Sequence, residues 1–97
     1  MTGTTRSSHG LDIRRRRLLF RAWHRGTREM DLLLGRFADA CIASLGEPEL
    51  GQFEALMDVP DRDLFVWLTA PETTPTDYDF PVLHELRAFH LGAPRIS

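Results

Sequence analysis

The chain has 97 residues, of which 42% are hydrophobic, and a net charge of −2 at neutral pH. Its length suits one domain with a modest core, and its single cysteine excludes an internal disulfide. No apolar run approaches the roughly 18 residues of a membrane span, and no secretory signal is present. We therefore expect one domain that does not insert into a membrane.

The charges are divided unevenly along the chain. Residues 1–28 contain eight arginines and one acidic residue, whereas residues 29–97 contain four arginines and thirteen acidic residues. Such asymmetry indicates either that one face binds an anionic partner or that the two halves of the chain bind each other. The chain contains arginine but no lysine. Arginine suits bidentate contacts, but a GC-rich genome would also explain this choice.

Residues 1–10 are small and polar without periodicity, which predicts a disordered tail. The first helix is predicted from Leu11 to Arg25. One sector of this helix is apolar and contains Leu19, Ala22 and Trp23. The nearly opposite sector is a cationic stripe, with His24 beside it, that contains Arg14, Arg17, Arg21 and Arg25.

The second helix, predicted from Met30 to Leu45, has the strongest apolar pattern in the chain. Its apolar side chains follow the helical period at Met30, Leu33, Leu34, Phe37, Ala40 and Cys41. Burial of each large side chain contributes about 1.5–3 kcal/mol before the entropy of ordering is subtracted. We expect this helix to form the core, with Cys41 as a buried and inert thiol.

Three further helices are predicted after residue 45. The segment Gly46-Glu47-Pro48 ends the second helix and starts the third, with Pro48 at N1, and the apolar stripe of the third helix is Leu50, Phe53, Leu56 and Met57. The fourth has Asp61 as its N-cap and carries Leu64, Phe65, Trp67 and Leu68. A loop over Ala70 to Asp77 precedes the fifth, which Asp79 caps and which carries Val82, Leu83, Leu86 and Phe89.

No β alternation occurs along the sequence, so these segments predict an all-α fold. We expect a small five-helix bundle in a single domain that covers residues 11–92, followed by frayed residues 93–97.

The segment from Arg25 to Asp31, which we call the corner, carries four charges and one glycine between the first two helices. Gly26 is predicted to end the first helix at C′, because glycine adopts positive φ without a Cβ clash. Thr27 is the predicted N-cap of the second helix, whose dipole favours Glu29 and Asp31 in its first turn. On these residues alone, a structural corner is slightly favoured over a binding epitope.

The residue types do not favour catalysis or a metal site. Cys41 has no histidine near it in sequence, and His84 and His90 are six residues apart, so they point to different faces of one helix. Asp61 and Asp63 are better interpreted as helix-start residues than as a general acid and base. There is no phosphate-binding glycine loop and no serine nucleophile motif. We therefore expect that the protein is not an enzyme.

Nucleic-acid binding is the main alternative function. The run Arg14–Arg17, together with Arg21, is a credible phosphate-contacting surface in a small helical domain. Against it, the rest of the chain is acidic and shows no helix-turn-helix pair. An arginine-rich helix can also dock on an acidic protein surface or remain solvated. A purely structural adaptor is a third possibility.

Three segments carry a family resemblance. They are Arg25-Gly26-Thr27-Arg28-Glu29, the run from Leu32 to Phe37, and the segment from Asp61 to Leu68. The first matches the RGxxE motif, and the last resembles the DxDLFxWL segment, of the succinate dehydrogenase assembly factors. These are small proteins that promote flavin attachment to the dehydrogenase. The likeness covers roughly Ile13 to His90 in register.

The resemblance implies a five-helix fold and a non-catalytic role. Such proteins bind the flavoprotein subunit of succinate dehydrogenase, and in bacteria that of fumarate reductase, and favour covalent linkage of FAD to a histidine there. The factor would act on FAD in its partner and hold no stable cofactor itself, in keeping with the lack of a dinucleotide-binding fingerprint. Transferred by position, the partner-binding residues are Arg25, Gly26, Thr27, Arg28, Glu29 and Asp31.

The remaining expectations concern the state of the protein and its departure from the family. We expect a monomer, in the cytoplasm of a bacterium or in the mitochondrial matrix of a eukaryote. Trp67 matches the family motif but has the spacing of a core residue. The run Arg14–Arg17 is more basic than the family pattern requires, which leaves open a second contact, such as one with an acidic surface.

Overall fold

The structure, a computed structural model, describes residues 10–90 of the chain. Five α-helices follow one another: α1 (Ile13–Ala22), α2 (Arg28–Cys41), α3 (Glu47–Met57), α4 (Asp61–Thr69) and α5 (Pro81–His90). Two short 3-10 turns, Pro71–Thr73 and Thr76–Tyr78, connect α4 to α5. These described residues contain no strand, so the predicted all-α five-helix fold is confirmed. Except for Gly10, the predicted disordered tail and the frayed residues 93–97 lie outside the described part.

The core is shared by all five helices. Helix α1 packs against α2 and α3, and α5 packs against α2, α3 and α4. Each helix contributes at least one large side chain that is almost completely enclosed, including Leu18, Leu34, Phe53, Leu64 and Leu86. No helix can bury its apolar face alone. The short links between the helices allow these faces to pack against one another in one bundle.

The buried stripe of α2 differs from the predicted one near its C-terminal end. Ala38, which the prediction left out, is fully enclosed, whereas Ala40 is exposed. These two residues lie about 200° apart around the helix, so only one of them can face the core. Cys41 lies at the edge of the stripe and is half-buried, not buried as predicted. The buried members of the predicted stripe are Met30, Leu34 and Phe37.

Helix α1 ends at Ala22, three residues before the predicted end. Trp23 is its C-cap, and the indole of Trp23 packs flat against Gly35 of α2. A Cβ atom at Gly35 would lie 2.3 Å from the indole ring, so glycine is what permits the contact. The indole Nε1 also donates a hydrogen bond to Asp39 Oδ1 at 3.2 Å. Helix α1 therefore ends at the point where the Trp23 side chain packs on α2.

The predicted role of Gly26 as the C′ residue of α1 is consequently wrong. Gly26 lies beyond the C-cap of α1 and directly before Thr27, the N-cap of α2. Its φ is +152°, so glycine is still required there, but it serves the entry into α2.

The starts of the last three helices differ in detail from the predictions. Pro48 is the second residue of α3, and Asp61 is the first residue of α4 without acting as its side-chain cap. Asp79 lies two residues before Pro81, the first residue of α5, and so is not at the N-cap position; its carboxylate contacts His84 Nε2. A side chain of α3 satisfies the start of α5 instead, because the Val82 N–H donates to Gln52 Oε1 at 3.2 Å.

Gly35→Ala tests the contact between α1 and α2. A methyl group there would overlap the indole of Trp23, so we expect the free energy of unfolding to fall by about 1–3 kcal/mol, as overpacking usually costs. Gly51→Ala in α3 is the matched control, because its nearest atom, Arg14 Nη2, would be 3.9 Å away. We expect the control to be neutral or stabilised by up to about 1 kcal/mol. Urea unfolding measures both, and equal stabilisation of the two variants contradicts this packing.

Candidate functional site

Most of the cationic stripe of α1 is paired within the fold. Arg14 donates from Nε and Nη2 to the carboxylate of Glu54 at 2.7 Å, and from Nη1 to Glu47. Arg21 donates to Asp58 at 2.8 Å. The hydrogen bond from Arg14 lowers the pKa of Glu54 below its usual value. The basic half and the acidic half of the chain therefore bind each other along α1 and α3, as one of the two sequence-based explanations predicted.

This pairing weakens the case for a phosphate-binding helix. Arg15 also turns inward, where its Nε and Nη2 donate to the carbonyls of Ile42 and Leu45 at 3.0 and 2.6 Å. Within residues 10–90, Arg16 and Arg17 are the members of the run that form no ion pair.

Arg25 joins the corner to the turn between α3 and α4. Its Nη1 donates to the carbonyl of Met57 at 2.7 Å, and its Nη2 donates to the carbonyl of Val59 at 2.6 Å. Its Nε and Nη2 contact Asp61 Oδ1, each at 2.7 Å. Only 8% of the Arg25 side chain is exposed. The guanidinium is therefore held inside the protein, where its charge is balanced by a carboxylate and two carbonyls.

The start of α2 fixes the other side of the corner. Thr27 is the N-cap, as predicted, and its side chain accepts a hydrogen bond from the Met30 N–H at 3.2 Å. Asp31 reaches back and accepts a hydrogen bond from the backbone N–H of Arg25. A Cβ atom at Gly26 would lie 3.3 Å from Asp61 Oδ2. The corner is therefore both capped from α2 and closely packed on the start of α4.

Four of the six predicted partner-binding residues form a continuous exposed surface. They are Gly26, Thr27, Arg28 and Glu29. The other two, Arg25 and Asp31, lie behind this surface and are bonded to other parts of the corner or to α4. The six predicted residues therefore lie close together in the structure. Four of them are exposed, and the other two form internal contacts that hold the exposed surface in place.

An apolar side chain beside the corner was not predicted as part of the site. Phe65, which was predicted to lie on the fourth helix but not in the site, is 45% exposed. A surface depression of about 510 Å³ lies between it and the corner, lined by Thr27, Glu29, Met30, Asp61, Arg62 and Phe65. The sequence did contain a signal for this exposure. Leu64 and Leu68, four residues apart, form the buried stripe of α4, and Phe65 lies outside that stripe.

Comparison with known proteins identifies the family. Residues 16–90 match the model of the family described as the flavinator of succinate dehydrogenase. The chain belongs to this family. The predicted family resemblance is thereby confirmed over almost all of the described residues.

Relatives of this flavinator-family chain occur in bacteria and eukaryotes. The FAD assembly factor SdhE of Acetobacter pasteurianus is 40% identical over 76 residues, which are 78% of this chain and 70% of that protein. The mitochondrial succinate dehydrogenase assembly factor 2-B of Drosophila ananassae is 34% identical over 94 residues, 95% of this chain and 58% of that protein. The mitochondrial succinate dehydrogenase assembly factor 2 of Danio rerio is 35% identical over 86 residues, 87% of this chain and 54% of that protein.

The chain spans about half the length of the mitochondrial relatives that it matches. No solved structure matches it significantly.

Other reactive groups of this flavinator-family protein lie apart from the corner. Burial raises the pKa of the Cys41 thiol to about 12, and its Sγ donates a hydrogen bond to the Phe37 carbonyl. Burial also lowers the pKa of His90, which contacts the carbonyl of Leu33. Among residues 10–90, no group of three His, Cys, Asp or Glu side chains is arranged to hold a metal ion. The helices described here all fall short of the length and apolarity needed to cross a membrane.

Arg25→Ala tests whether the corner depends on the buried guanidinium. The change leaves Asp61 without its cation and the carbonyls of Met57 and Val59 without a donor, so we expect a loss of about 2–4 kcal/mol of unfolding free energy. Arg28→Ala is the control, because Arg28 is exposed and forms no ion pair with any described residue. It should change stability by less than about 0.5 kcal/mol. Chemical denaturation of both variants measures the difference, and similar stabilities would argue against the buried contacts.

The half-buried position of Cys41 predicts slow thiol chemistry and a specific dependence of stability on pH. Its folded-state pKa of about 12 exceeds the ordinary value of 9.0, so the contribution of this thiol to stability is complete below about pH 9 and decreases as the pH rises towards 12. Iodoacetamide at pH 8.5 should modify the native chain at least about tenfold more slowly than the urea-unfolded chain. Cys41→Ala should remove this part of the alkaline loss. Equal labelling rates would contradict the assigned environment.

Proposed function

We propose that this protein promotes covalent attachment of FAD to the flavoprotein subunit of succinate dehydrogenase. The family match over residues 16–90 is the observation that carries the proposal. Similarity to an FAD assembly factor and to succinate dehydrogenase assembly factors supports the same interpretation. The family is one of assembly factors, so the protein would assist the reaction without carrying out the bond-forming step.

The exposed part of the corner, Gly26 to Glu29, is the surface that we assign to the flavoprotein. Gly26 has no side chain, so a partner can approach its backbone closely. Glu29 presents a carboxylate in the first turn of α2, where the helix dipole stabilises negative charge. This carboxylate would accept hydrogen bonds from donors on the flavoprotein and fix the orientation of the two proteins.

Arg25 and Asp31 have a positioning role in this proposal. Their bonds to Val59, Asp61 and the corner backbone are already formed in the free chain. A surface that is ordered before binding loses less conformational entropy when it binds. The internal contacts would therefore increase affinity without touching the partner.

Phe65 supplies the apolar component of the proposed interface. Binding energy at protein interfaces is concentrated in a few side chains, often aromatic ones that fill a pocket in the partner. The depression between Phe65 and Glu29 places an apolar anchor next to the orienting carboxylate. An apolar side chain of the flavoprotein could occupy it.

The effect on flavin attachment would be one of positioning. FAD is a substrate held by the flavoprotein, and the new bond forms between that flavin and a histidine of the flavoprotein. By binding one conformation of the flavoprotein, the corner would favour the arrangement in which the two reacting groups are close. Correct positioning of reacting groups can remove several kcal/mol from a barrier.

The partner and compartment follow from the same proposal. The flavoprotein of fumarate reductase is a second expected partner in a bacterium, and we expect the factor to act as a monomer. In a eukaryote, the site of action would be the mitochondrial matrix, in line with the word mitochondrial in the names of the eukaryotic relatives. In a bacterium it would be the cytoplasm.

Glu29→Ala is the decisive variant for this function. As a helix-dipole residue alone, Glu29 contributes only about 0.3–1 kcal/mol to stability. As an orienting residue, its loss should reduce covalent flavin on the flavoprotein at least about tenfold while the melting temperature stays near that of the unaltered protein. Asp63→Ala is the matched control, an exposed acid in the first turn of α4. Flavin fluorescence of the denatured flavoprotein, after incubation with FAD and each variant, measures the attachment.

Gly26→Arg provides a second, steric test of the same surface. The φ of +152° predicts some loss of stability for any side chain there, and the added bulk should exclude the flavoprotein. Melting curves recorded in parallel separate these two effects. If a folded Glu29→Ala protein still supports full flavin attachment, the proposal is contradicted and the corner has only a structural role.

A further inference from the structure

Helix α1 has a solvent-facing side that the corner proposal does not use. We call it the outer face of α1, and it consists of Ile13, Arg16, Arg17 and Phe20. Phe20 is 62% exposed and Ile13 is 56% exposed, more than any other large hydrophobic side chain among the described residues. At 100° per residue, these four side chains lie opposite the buried Leu18, Leu19 and Ala22. The exposure of these side chains therefore follows from their positions around the helix.

The two arginines of the outer face are the unpaired part of a basic run. Arg14, Arg15 and Arg21 all bind carboxylates or carbonyls of the same chain. Arg16 and Arg17, by contrast, form no ion pair with any residue in the range 10–90. The fold thus leaves two cations beside two exposed apolar side chains.

The outer face contains a shallow, open depression. This depression of about 380 Å³ runs between Ile13 and Phe20, with Arg16, Arg17 and Arg21 on its walls. Its apolar ends, Ile13 and Phe20, are seven positions apart on the helix, a length of roughly 10 Å. The ring of Phe20 stacks on His24, with 3.8 Å between ring centroids, which holds the phenyl group in place.

We propose that the outer face of α1 binds an acidic segment of the flavoprotein that also carries an apolar side chain. The apolar side chain would fill the depression beside Phe20, while carboxylates would pair with Arg16 and Arg17. Arginine suits this role because its planar fork binds carboxylates in a bidentate manner. This inference rests on the proposed function, and it adds a second contact that contributes affinity, whereas Glu29 of the corner orients the partner.

The outer face and the corner are parts of one continuous surface. The depression on the outer face shares Arg21 with a second depression of about 440 Å³, whose lining includes His24, Arg25 and Asp61. Asp61 in turn lines the depression beside Glu29. One partner can therefore reach both contacts without a gap between them.

A protein segment fits the outer face better than a polyanion or a membrane does. An extended nucleic acid would also cover the exposed carboxylates of Glu47 and Asp58, which lie beside the same helix, whereas a short protein segment can stay within the outer face. Tight nucleic-acid binding generally needs several phosphate contacts, and this face offers only the two arginines without an ion pair. The binding of a helix to a membrane surface increases with the apolar area that it buries, and Ile13 and Phe20 alone provide little. The terminal segments, residues 1–9 and 91–97, contain no acidic residue that could pair with Arg16 or Arg17.

The test uses the full chain and the purified flavoprotein subunit, first without covalent flavin. Titration calorimetry at low and high salt gives the affinity of the unaltered chain, Phe20→Ala, Arg17→Glu and the charge-matched control Arg36→Glu on the exposed side of α2. We expect at least about tenfold weaker binding for Phe20→Ala and for Arg17→Glu, with a smaller salt dependence for the latter. The control should stay within about twofold. Melting curves verify that each variant is folded.

A second measurement separates affinity from orientation. Flavin attachment with Phe20→Ala or Arg17→Glu should recover when the factor is supplied at concentrations above the new dissociation constant. Attachment with Glu29→Ala should not recover. If Phe20→Ala and Arg17→Glu bind like the unaltered chain while Glu29→Ala fails, the outer-face proposal is overturned and the proposed function stands. If the unaltered chain does not bind the flavoprotein, both are overturned.

Two further probes decide between classes of partner. Vesicles containing phosphatidylserine and a 20-base-pair DNA duplex are titrated under the same conditions. Binding to either probe that is tighter than binding to the flavoprotein, and that Phe20→Ala or Arg17→Glu abolishes, would overturn the assignment to a protein segment. Weak binding to both probes supports it.

Discussion

The buried guanidinium of Arg25 is the interaction on which the arrangement of this protein depends. One side chain binds the end of α3, the turn that follows it and the first residue of α4. A charge in this position is costly unless every donor is satisfied. Its geometry therefore fixes where α4 begins relative to the start of α2. These bonds hold Arg25, the residue that precedes the exposed surface from Gly26 to Glu29, in a defined position.

The ion pairs between α1 and α3 show why a nearly neutral protein can have such unequal halves. Among the described arginines of the basic half, Arg14, Arg21 and Arg25 pair with carboxylates more than thirty residues away. Exposed pairs of this kind add little stability individually. Their more important effect is selective: they remove Arg14 and Arg21 from the surface available to anions and leave Arg16 and Arg17. The folded distribution of charge therefore differs from the distribution along the sequence.

The sequence predicted the features that depend on neighbouring residues and missed those that depend on distant ones. The five helices and the Thr27 cap follow from helical periodicity and local capping, so both were found. The bond between Arg25 and Asp61 joins residues 36 positions apart, and no local pattern indicates it. The exposure of Phe65 and Ala40 was missed because periodicity gives the spacing of a stripe but not its width. The early end of α1 depends on the fit between Trp23 and Gly35, which involves two helices at once.

The packing of Trp23 on α2 has a consequence for the order in which the molecule assembles. The bond from Trp23 to Asp39 spans 16 positions, whereas the bond from Arg25 to Asp61 spans 36. Closing a shorter loop costs less entropy, and local contacts generally form earlier. We therefore expect α1 and α2 to dock as a hairpin before α4 arrives. The corner would then exist as a loose link until Asp61 meets Arg25, so the surface assigned to the partner would become ordered only when folding is nearly complete.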